Sequence, residues 1–542
     1  MAFRSKILNL LDKKENVPRL LVLASLILWL SATLQLYPLR VTSEDFLGLT
    51  SRLPVIFWLG LALLFLAASL TILRKVRISQ LGQFGIAMVL ALYLFATPIL
   101  ASPNPQYPWS YYPSAETISI INQGRVNTEA NVSLTSYLYL PGFHFISAAL
   151  VSVTGVSLES LLHYFPIAIV FLLLASILFV ANCLNLTADR AFLLMLLFLS
   201  SFWVPWYYYC PFAFALVLLF LVFGLAMRYR YSYKETLVIL ILTLGIILTH
   251  TLTSIVLLLS LIAVCILKRQ VRMVRPILLM VISMVLYYVV FATRALVTGA
   301  SMIGEDLANV SNLFSFYGSK FSGGSLQQQA VSNSRISMAA IISVFFLVSF
   351  LLIIKRKTES RTLGTTIVAW LLSPLLLVFL RYGHELFERE FTFLLVPALA
   401  LIVLVIKNEK YLLFFLLLCL VVNIPAHYGS ESFDLVYTTD LNGSHFISLN
   451  VPKNAPVLYA HWQYLDFYDQ GSGRLLRVIS PWESPDQTQR ISAAFIVDSQ
   501  QSGNMYRYYF GFDPLQGYAN VVGNSLVFNN GEFQLLWNAT FK

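Results

Sequence analysis

The sequence predicts an all-α polytopic membrane protein with a small C-terminal α/β or β-rich domain outside the bilayer. Three observations carry that reading. The chain is 58% hydrophobic and 11% charged over 542 residues, with a mean hydropathy of +0.74. Apolar blocks recur from residue 19 to residue 423, and those at 18–36, 53–73 and 277–297 each approach the roughly 20 residues a helix needs to cross a hydrocarbon core. The basic residues gather in short connections between blocks: Arg74-Lys75-Val76-Arg77, 228–234, 268–275, 355–361 and 407–410.

That last pattern explains the net charge of +10. Lys and Arg beside span ends stay on the cytoplasmic side, so the partner implied is the lipid bilayer, and no nucleic acid is expected. The first apolar block is long and no small-residue cleavage site follows it, so it reads as a retained span rather than a signal peptide. Cys183, Cys210, Cys265 and Cys419 form no CxxC pair and have no His at metal spacing, and they read as packed apolar side chains.

Placing the basic loops inside gives a cell-membrane protein of about thirteen spans, with a cytoplasmic N-terminus and an extracytoplasmic C-terminal domain. Residues 1–83 form a cytoplasmic tail and a two-span hairpin. Residues 84–424 form the core, with long external loops at 102–136 and 298–335. Residues 137–155 are apolar enough to span, but counting them so puts 228–234 on the wrong side, so they read as helices lying at the outer interface. The blocks 237–248 and 252–267 make a short hairpin turning at His250. Residues 425–542 change character: short β-rich runs such as Val457-Leu458-Tyr459 alternate with Asn, Gly, Asp and Pro. Of five Asn-x-Ser/Thr sequons, those of Asn131, Asn309, Asn442 and Asn538 fall on external segments and that of Asn185 on an internal one.

Chemistry at a membrane surface is best placed in the long external loops, because backbone within the hydrocarbon must satisfy its own hydrogen bonds. In 102–136, Trp109, Tyr111 and Tyr112 suit stacking on sugar rings, and Glu116 is the first carboxylate, followed by Glu129. A carboxylate beside aromatics can act as general base toward an acceptor hydroxyl or hold a divalent cation, Mg²⁺ or Mn²⁺. The plain alternative is an aromatic belt with a solvated Glu. Glu44 and Asp45, after the first span, offer a second acidic pair, or simply a capped turn. A third cluster, Arg381, His384 and Arg389 among Glu385, Glu388 and Glu390, suits a lipid-linked phosphate or a self-neutralising turn.

The order of parts resembles the membrane glycosyltransferases of the GT-C fold. The local match runs from Tyr111-Tyr112 through Ile118-Ser119-Ile120-Ile121-Asn122-Gln123-Gly124-Arg125, then Tyr139-Leu140-Pro141-Gly142-Phe143-His144. His250-Thr251-Leu252-Thr253 and Glu388-Arg389-Glu390-Phe391 are similar to stretches of uncharacterised archaeal-type members. Two departures stand out. The Asp usual near the start of the external loop is missing from residues 106–112, leaving Glu116, or Glu44 and Asp45, in its place. Trp462-Gln463-Tyr464-Leu465-Asp466 does not match the Trp-Trp-Asp-Tyr-Gly of oligosaccharyltransferases, which argues against block transfer of an oligosaccharide to Asn.

The resemblance implies an enzyme that moves a sugar from a polyprenyl-phosphate donor to a glycan, lipid or protein acceptor with inversion. Glu116 would be the base or metal ligand, with Glu44 and Asp45 as fallback. Arg381, His384 and Arg389 would hold the donor phosphate, and Trp109, Tyr111 and Tyr112 the sugar. A catalytically inactive scaffold of envelope-glycan assembly stays open beside it. So does a lipid-carrier flippase or transporter, although the paired broken helices with midplane charges that a transporter uses are not evident.

Overall fold

A computed structural model describes residues 16–76, 78–126, 140–204, 207–228, 232–269, 273–293, 324–355, 359–372, 386–469, 476–477, 493–515 and 524–538, with the isolated positions 297, 301, 304 and 374. Seven of its helices are long and apolar enough to cross a membrane: α1 (Val17–Leu36), α2 (Val55–Ile72), α3 (Gln80–Ala101), α6 (Leu158–Cys183), α10 (Thr251–Lys268), α12 (Leu326–Ile354) and α15 (Glu409–Tyr428). Packed among them are α7 (Ala188–Ser201), α8 (Pro211–Met227), α9 (Tyr233–Ile247), α11 (Val274–Val290), α13 (Glu359–Leu372) and α14 (Leu386–Val405). Among the described residues seven helices therefore have the length and hydropathy of a span, where the sequence reading counts about thirteen. Two helices, α4 (Tyr111–Gln123) and α5 (Gly142–Thr154), span only about 20 Å each at 1.5 Å per residue and pack on one another.

Helix α7 is the centre of the bundle. Every residue from Ala191 to Ser201 is buried, because α3, α6, α14 and α15 surround it. An all-round apolar helix has no face to offer water and must be enclosed.

At one end of the bundle the basic loops meet helix ends. Arg190 donates to the carbonyls of Val403, Ile406 and Lys407 at 3.2, 2.5 and 2.7 Å, capping the last turn of α14. Lys268 does the same for Ala226 and Met227 at the end of α8, at 3.2 and 3.1 Å. Arg74 reaches Asp189 and Glu409, each at 3.4 Å. Cations at helix C-termini complete unsatisfied carbonyls and oppose the helix dipole. The charge cluster read as one side of a membrane is therefore also a set of helix caps. The opposite end, called the outer end below, carries residues 102–126 and the tail.

The first outer turn is fixed by Asp45. Its carboxylate accepts from the Thr42 N–H at 2.9 Å and pairs with Arg52 Nε at 2.6 Å, which makes Asp45 the cap of a turn, while Glu44 is exposed. Gly48 follows in the left-handed region at φ +56, where an added Cβ would lie 2.5 Å from the Tyr428 carbonyl oxygen. The loop thus sits directly on the end of α15. Midway along its course α3 widens into a π-turn at Leu92–Ala96, and the Tyr428 hydroxyl donates to the Tyr93 carbonyl there.

Helix α15 continues through Pro425 to Tyr428, past the position where the sequence reading begins the tail. After it come α16 (Glu431–Asp434), α17 (Thr438–Asn450), α18 (Gln463–Tyr468) and α19 (Gln500–Phe510). They surround a five-stranded mixed sheet of order β2-β1-β3-β5-β4. The strands are β1 (Val457–Leu458), β2 (Leu476–Arg477), β3 (Phe495–Ser499), β4 (Asn524–Asn529) and β5 (Phe533–Asn538). β1 runs parallel to β2 and β3, and β5 is antiparallel to β3 and β4. The tail is an α/β domain. Two of its sequons are built into it: Ser444 is buried with its hydroxyl on Tyr459, and the Asn538 side-chain nitrogen donates to the Ala493 carbonyl at 2.9 Å. Asn131 and Asn309 lie outside the described residues.

Replacing Gly48 by Ala forces both a strained φ and a backbone clash. A loss of about 1–3 kcal/mol is expected, seen as a lower thermal midpoint of the detergent-solubilised protein, with Gly124→Ala, whose Cβ meets nothing within 4 Å, as the strain-only control.

Candidate active site at the outer end

Helix α4 starts from a tight turn at Pro108–Ser110 and ends at Gly124, left-handed at φ 67, whose N–H closes on the Ile120 carbonyl at 2.8 Å. Glycine is the residue that accepts this C-terminal conformation without strain. Its inner face is pinned by Thr117, whose hydroxyl meets His144 Nδ1 of α5 at 3.1 Å and the Tyr209 hydroxyl at 2.8 Å. Gly142 starts α5 against the α9–α10 turn, its N–H on the Leu248 carbonyl at 2.9 Å.

The other face of α4 meets the tail. Tyr111 packs edge-on to Tyr464 and Phe467, with centroids at 4.9 and 5.2 Å, and Tyr112 packs on Trp462 at 5.3 Å. Both tyrosines are buried, whereas Trp109 is 44% exposed. The ring faces of Tyr111 and Tyr112 are therefore occupied by protein, and Trp109 and the half-buried Trp462 are the aromatics that reach the surface.

Glu116, one turn further along, is brought to Asp466 of α18. Burial first, and then the Asp466 charge, push the Glu116 carboxyl up to about 7. Burial and the charge of Asp469 push Asp466 to about 7 as well. Both acids are buried where α18 packs on α4, at the seam of bundle and tail, and both carboxyls are raised toward neutrality. Asp466 was not singled out in the sequence. The signal was there, in an acid after Trp462, but only the fold puts α18 against α4.

The donor-phosphate candidates divide. Arg381 and His384 lie outside the described residues, as does Glu129. Arg389 is buried on α14, its guanidinium 5.2 Å over the Phe212 ring and 3.1 Å from His250 Nε2. The His250 Nδ1 accepts from the Thr253 backbone N–H at 3.2 Å and lies 2.9 Å from the Thr253 hydroxyl. Burial, then the Arg389 charge, hold His250 well below its usual value and keep it neutral. A residue read as a turn histidine is that, at the N-cap of α10, and also the partner of Arg389. Arg335 of α12 is a further cation at this end. It lies 4.9 Å from the Trp203 ring centroid and donates to the Ala426 carbonyl at 3.1 Å and the Ser430 hydroxyl at 3.2 Å.

Among the described residues no group of three or more His, Cys, Asp or Glu side chains forms a metal cage. A hydrated Mg²⁺ needs only one or two carboxylates from the protein.

No family profile matches the chain and no characterised protein matches it in sequence. Solved structures do resemble it. An oligosaccharyltransferase of Archaeoglobus fulgidus, determined with zinc and sulfate, superposes with a TM-score of 0.50 at 11% identity, covering 84% of this chain and 73% of that one. ArnT of Cupriavidus metallidurans bound to undecaprenyl phosphate gives 0.39 at 12% identity, over 89% of this chain and 99% of that one. The mycobacterial arabinofuranosyltransferase AftD gives 0.47 at 12% identity, over 85% and 41%. The likeness to the oligosaccharyltransferase is one of fold alone: a multi-pass helical bundle with an appended domain.

Because the folded state holds the Glu116 proton up to about pH 7 while an unfolded Glu releases it near pH 4.3, the protein loses stability as pH rises through that window. Thermal unfolding at pH 4.5 and pH 8 is expected to show wild type falling relative to Glu116→Gln by about 3 kcal/mol. Equal slopes for the two proteins would contradict the burial of this acid.

Proposed function

We propose that this chain is a membrane glycosyltransferase that transfers a sugar from a polyprenyl-phosphate donor to an acceptor hydroxyl at the outer end, on the extracytoplasmic face. The carrying observation is the packing of α18 on α4, which buries Glu116 and Asp466 at the seam between bundle and tail, on a fold like that of the oligosaccharyltransferase. A carboxylate that gains and loses its proton near neutrality is suited to general-base work. Glu116 takes the acceptor proton as the acceptor oxygen bonds to the anomeric carbon. The bond from that carbon to the phosphate oxygen breaks with its electron pair leaving on phosphate, so the anomeric configuration inverts.

Arg335 and Arg389 supply fixed positive charge for the leaving phosphate, with Arg381 and His384 as further candidates. Trp109 and Trp462 flank the sugar. Asp466 holds Glu116 in its protonatable range. A Mg²⁺ or Mn²⁺ ion, when bound by Glu116 and Asp466, would supply charge that stabilises the developing phosphate. The tail, residues 425–542, receives a glycan, lipid or protein acceptor. Glu44 and Asp45 are left a structural part, since Asp45 is consumed by Thr42 and Arg52.

A second reading, a scaffold of envelope-glycan assembly, is favoured by one observation: the tail covers the faces of Tyr111 and Tyr112.

The test is transfer of label from a panel of radiolabelled polyprenyl-phosphate sugars to native membrane lipids and glycans, with and without Mn²⁺ or Mg²⁺. Glu116→Gln is expected to lose about 10²–10⁴-fold, and wild-type activity to rise with pH through about 7. Asp466→Asn removes a charge that raises the Glu116 value, so its rising limb moves to lower pH. No transfer by folded wild type from any donor would leave the scaffold. For the phosphate site, Arg389→Lys keeps the charge but loses the planar fork, and a several-fold higher KM for donor with little change in kcat is expected.

A further inference from the structure

Helix α4 is aimed by what precedes it. Tyr107 is a non-glycine residue in the left-handed half of the backbone map, at φ 72, a conformation that costs energy unless its surroundings hold it. The surroundings come from the segment where the bundle passes into the tail. The Tyr107 N–H donates to the Asp434 carbonyl at 2.9 Å. Its hydroxyl meets that of Tyr207, which in turn lies 3.0 Å from His427 Nε2. One residue earlier, the buried Gln106 side chain donates through Nε2 to Glu431 Oε2. The Ser110 N–H then closes on the Tyr107 carbonyl at 3.0 Å, and α4 begins at the next residue.

We infer that the contact of Gln106 with Glu431 is a positioning device that holds Tyr107 in its strained conformation, fixes the start of α4 and so places Glu116. Glu431 and Gln106 act through α4 and touch no reacting atom.

The charge state of the device follows from its surroundings. Glu431 and Asp434 lie three apart on one helical turn and both are buried. The groups facing them are Gln106 and Tyr107 from the loop, Tyr207 from the turn after α7, Tyr428 of α15 with His427 behind Tyr207, Ser430, Tyr508 and Tyr509 of α19, and Arg335 of α12. Arg335 is the one cation among these, and it bears on Asp434. Two buried acids with one counter-charge cannot both ionise cheaply. Burial raises both acids, and the Asp434 charge raises Glu431 further while Arg335 lowers Asp434, so Glu431 is the later of the two to ionise. A rise in pH that ionises Glu431 loads the site with a second negative charge and loosens the clamp.

This inference leans on the proposed role of Glu116 only for its catalytic consequence, and the clamp is read without substrate. Hydrogen exchange of full-length protein in lipid nanodiscs, corrected for intrinsic rates, would be followed in peptides covering residues 107–123 at pH 6 and pH 9. Wild type is expected to lose protection at pH 9, at least tenfold in exchange rate. Glu431→Gln, a neutral isostere, should keep protection at both pH values, and Glu431→Ala should lose it at both. Gln106→Leu, which removes the donor without leaving a cavity, should match Glu431→Ala and serves where that variant fails to fold. Unchanged α4 protection in Gln106→Leu, or the same pH response in wild type and Glu431→Gln, overturns the inference. If the exchange pattern holds and no variant transfers sugar, the clamp stands and the glycosyltransferase reading falls.

Discussion

Scarcity of water at the seam between bundle and tail governs the outer end of this molecule. Groups that a soluble protein would leave hydrated are enclosed there: Gln106, Glu116, Glu431, Asp434 and Asp466 are all buried. A polar group removed from water must find a partner or change its protonation state. Some of these residues found partners, as Gln106 did in Glu431. Others kept protons, as Glu116 and Asp466 do. The seam is therefore both the joint of the architecture and the place where acid–base chemistry near neutrality becomes available.

The bundle beneath obeys a simpler rule. With no water to serve exposed backbone, its segments are helices, and their ends are completed by whatever cation or hydroxyl lies near. Arg190 and Lys268 do this at the basic end. Side-chain caps at Ser157, Ser232, Ser325 and His250 do it elsewhere. The 29 residues of α12 exceed a bilayer core by several turns. Its first turns therefore stand in the seam, where Gln327 donates to the Gly429 carbonyl and Arg335 meets Ser430.

Much of this was legible in the sequence because hydrophobicity and charge act locally. Apolar runs bounded by basic clusters marked the long helices, and residues 142–154 form the short helix α5. Glu116 could be picked out because it follows a dense aromatic loop. Its partner could not, since nothing in Trp462–Asp466 announces that it docks on α4. The same gap explains Tyr111 and Tyr112: their composition suggests sugar stacking, while their use, as packing against Tyr464, Phe467 and Trp462, depends on a contact made over 350 residues away. Short-range chemistry was more transparent. Asp45 behaves as the turn cap that Thr-Ser-Glu-Asp suggests.

The buried sequons of the tail set a race. The nitrogen of Asn538 that a glycan would be joined to is already bonded to the Ala493 carbonyl, and Ser444, which completes the Asn442 sequon, is sealed against Tyr459. Once the sheet has closed, Asn538 is out of a modifying enzyme's reach, and the exposed Asn442 is left with a buried Ser444. A sugar attached at Asn538 before closure would block the register of β5 against its neighbours. In a cell that decorates such sites as chains emerge, the proportion of correctly folded tail becomes a matter of timing, decided by whether the sheet zips before the modifying enzyme arrives.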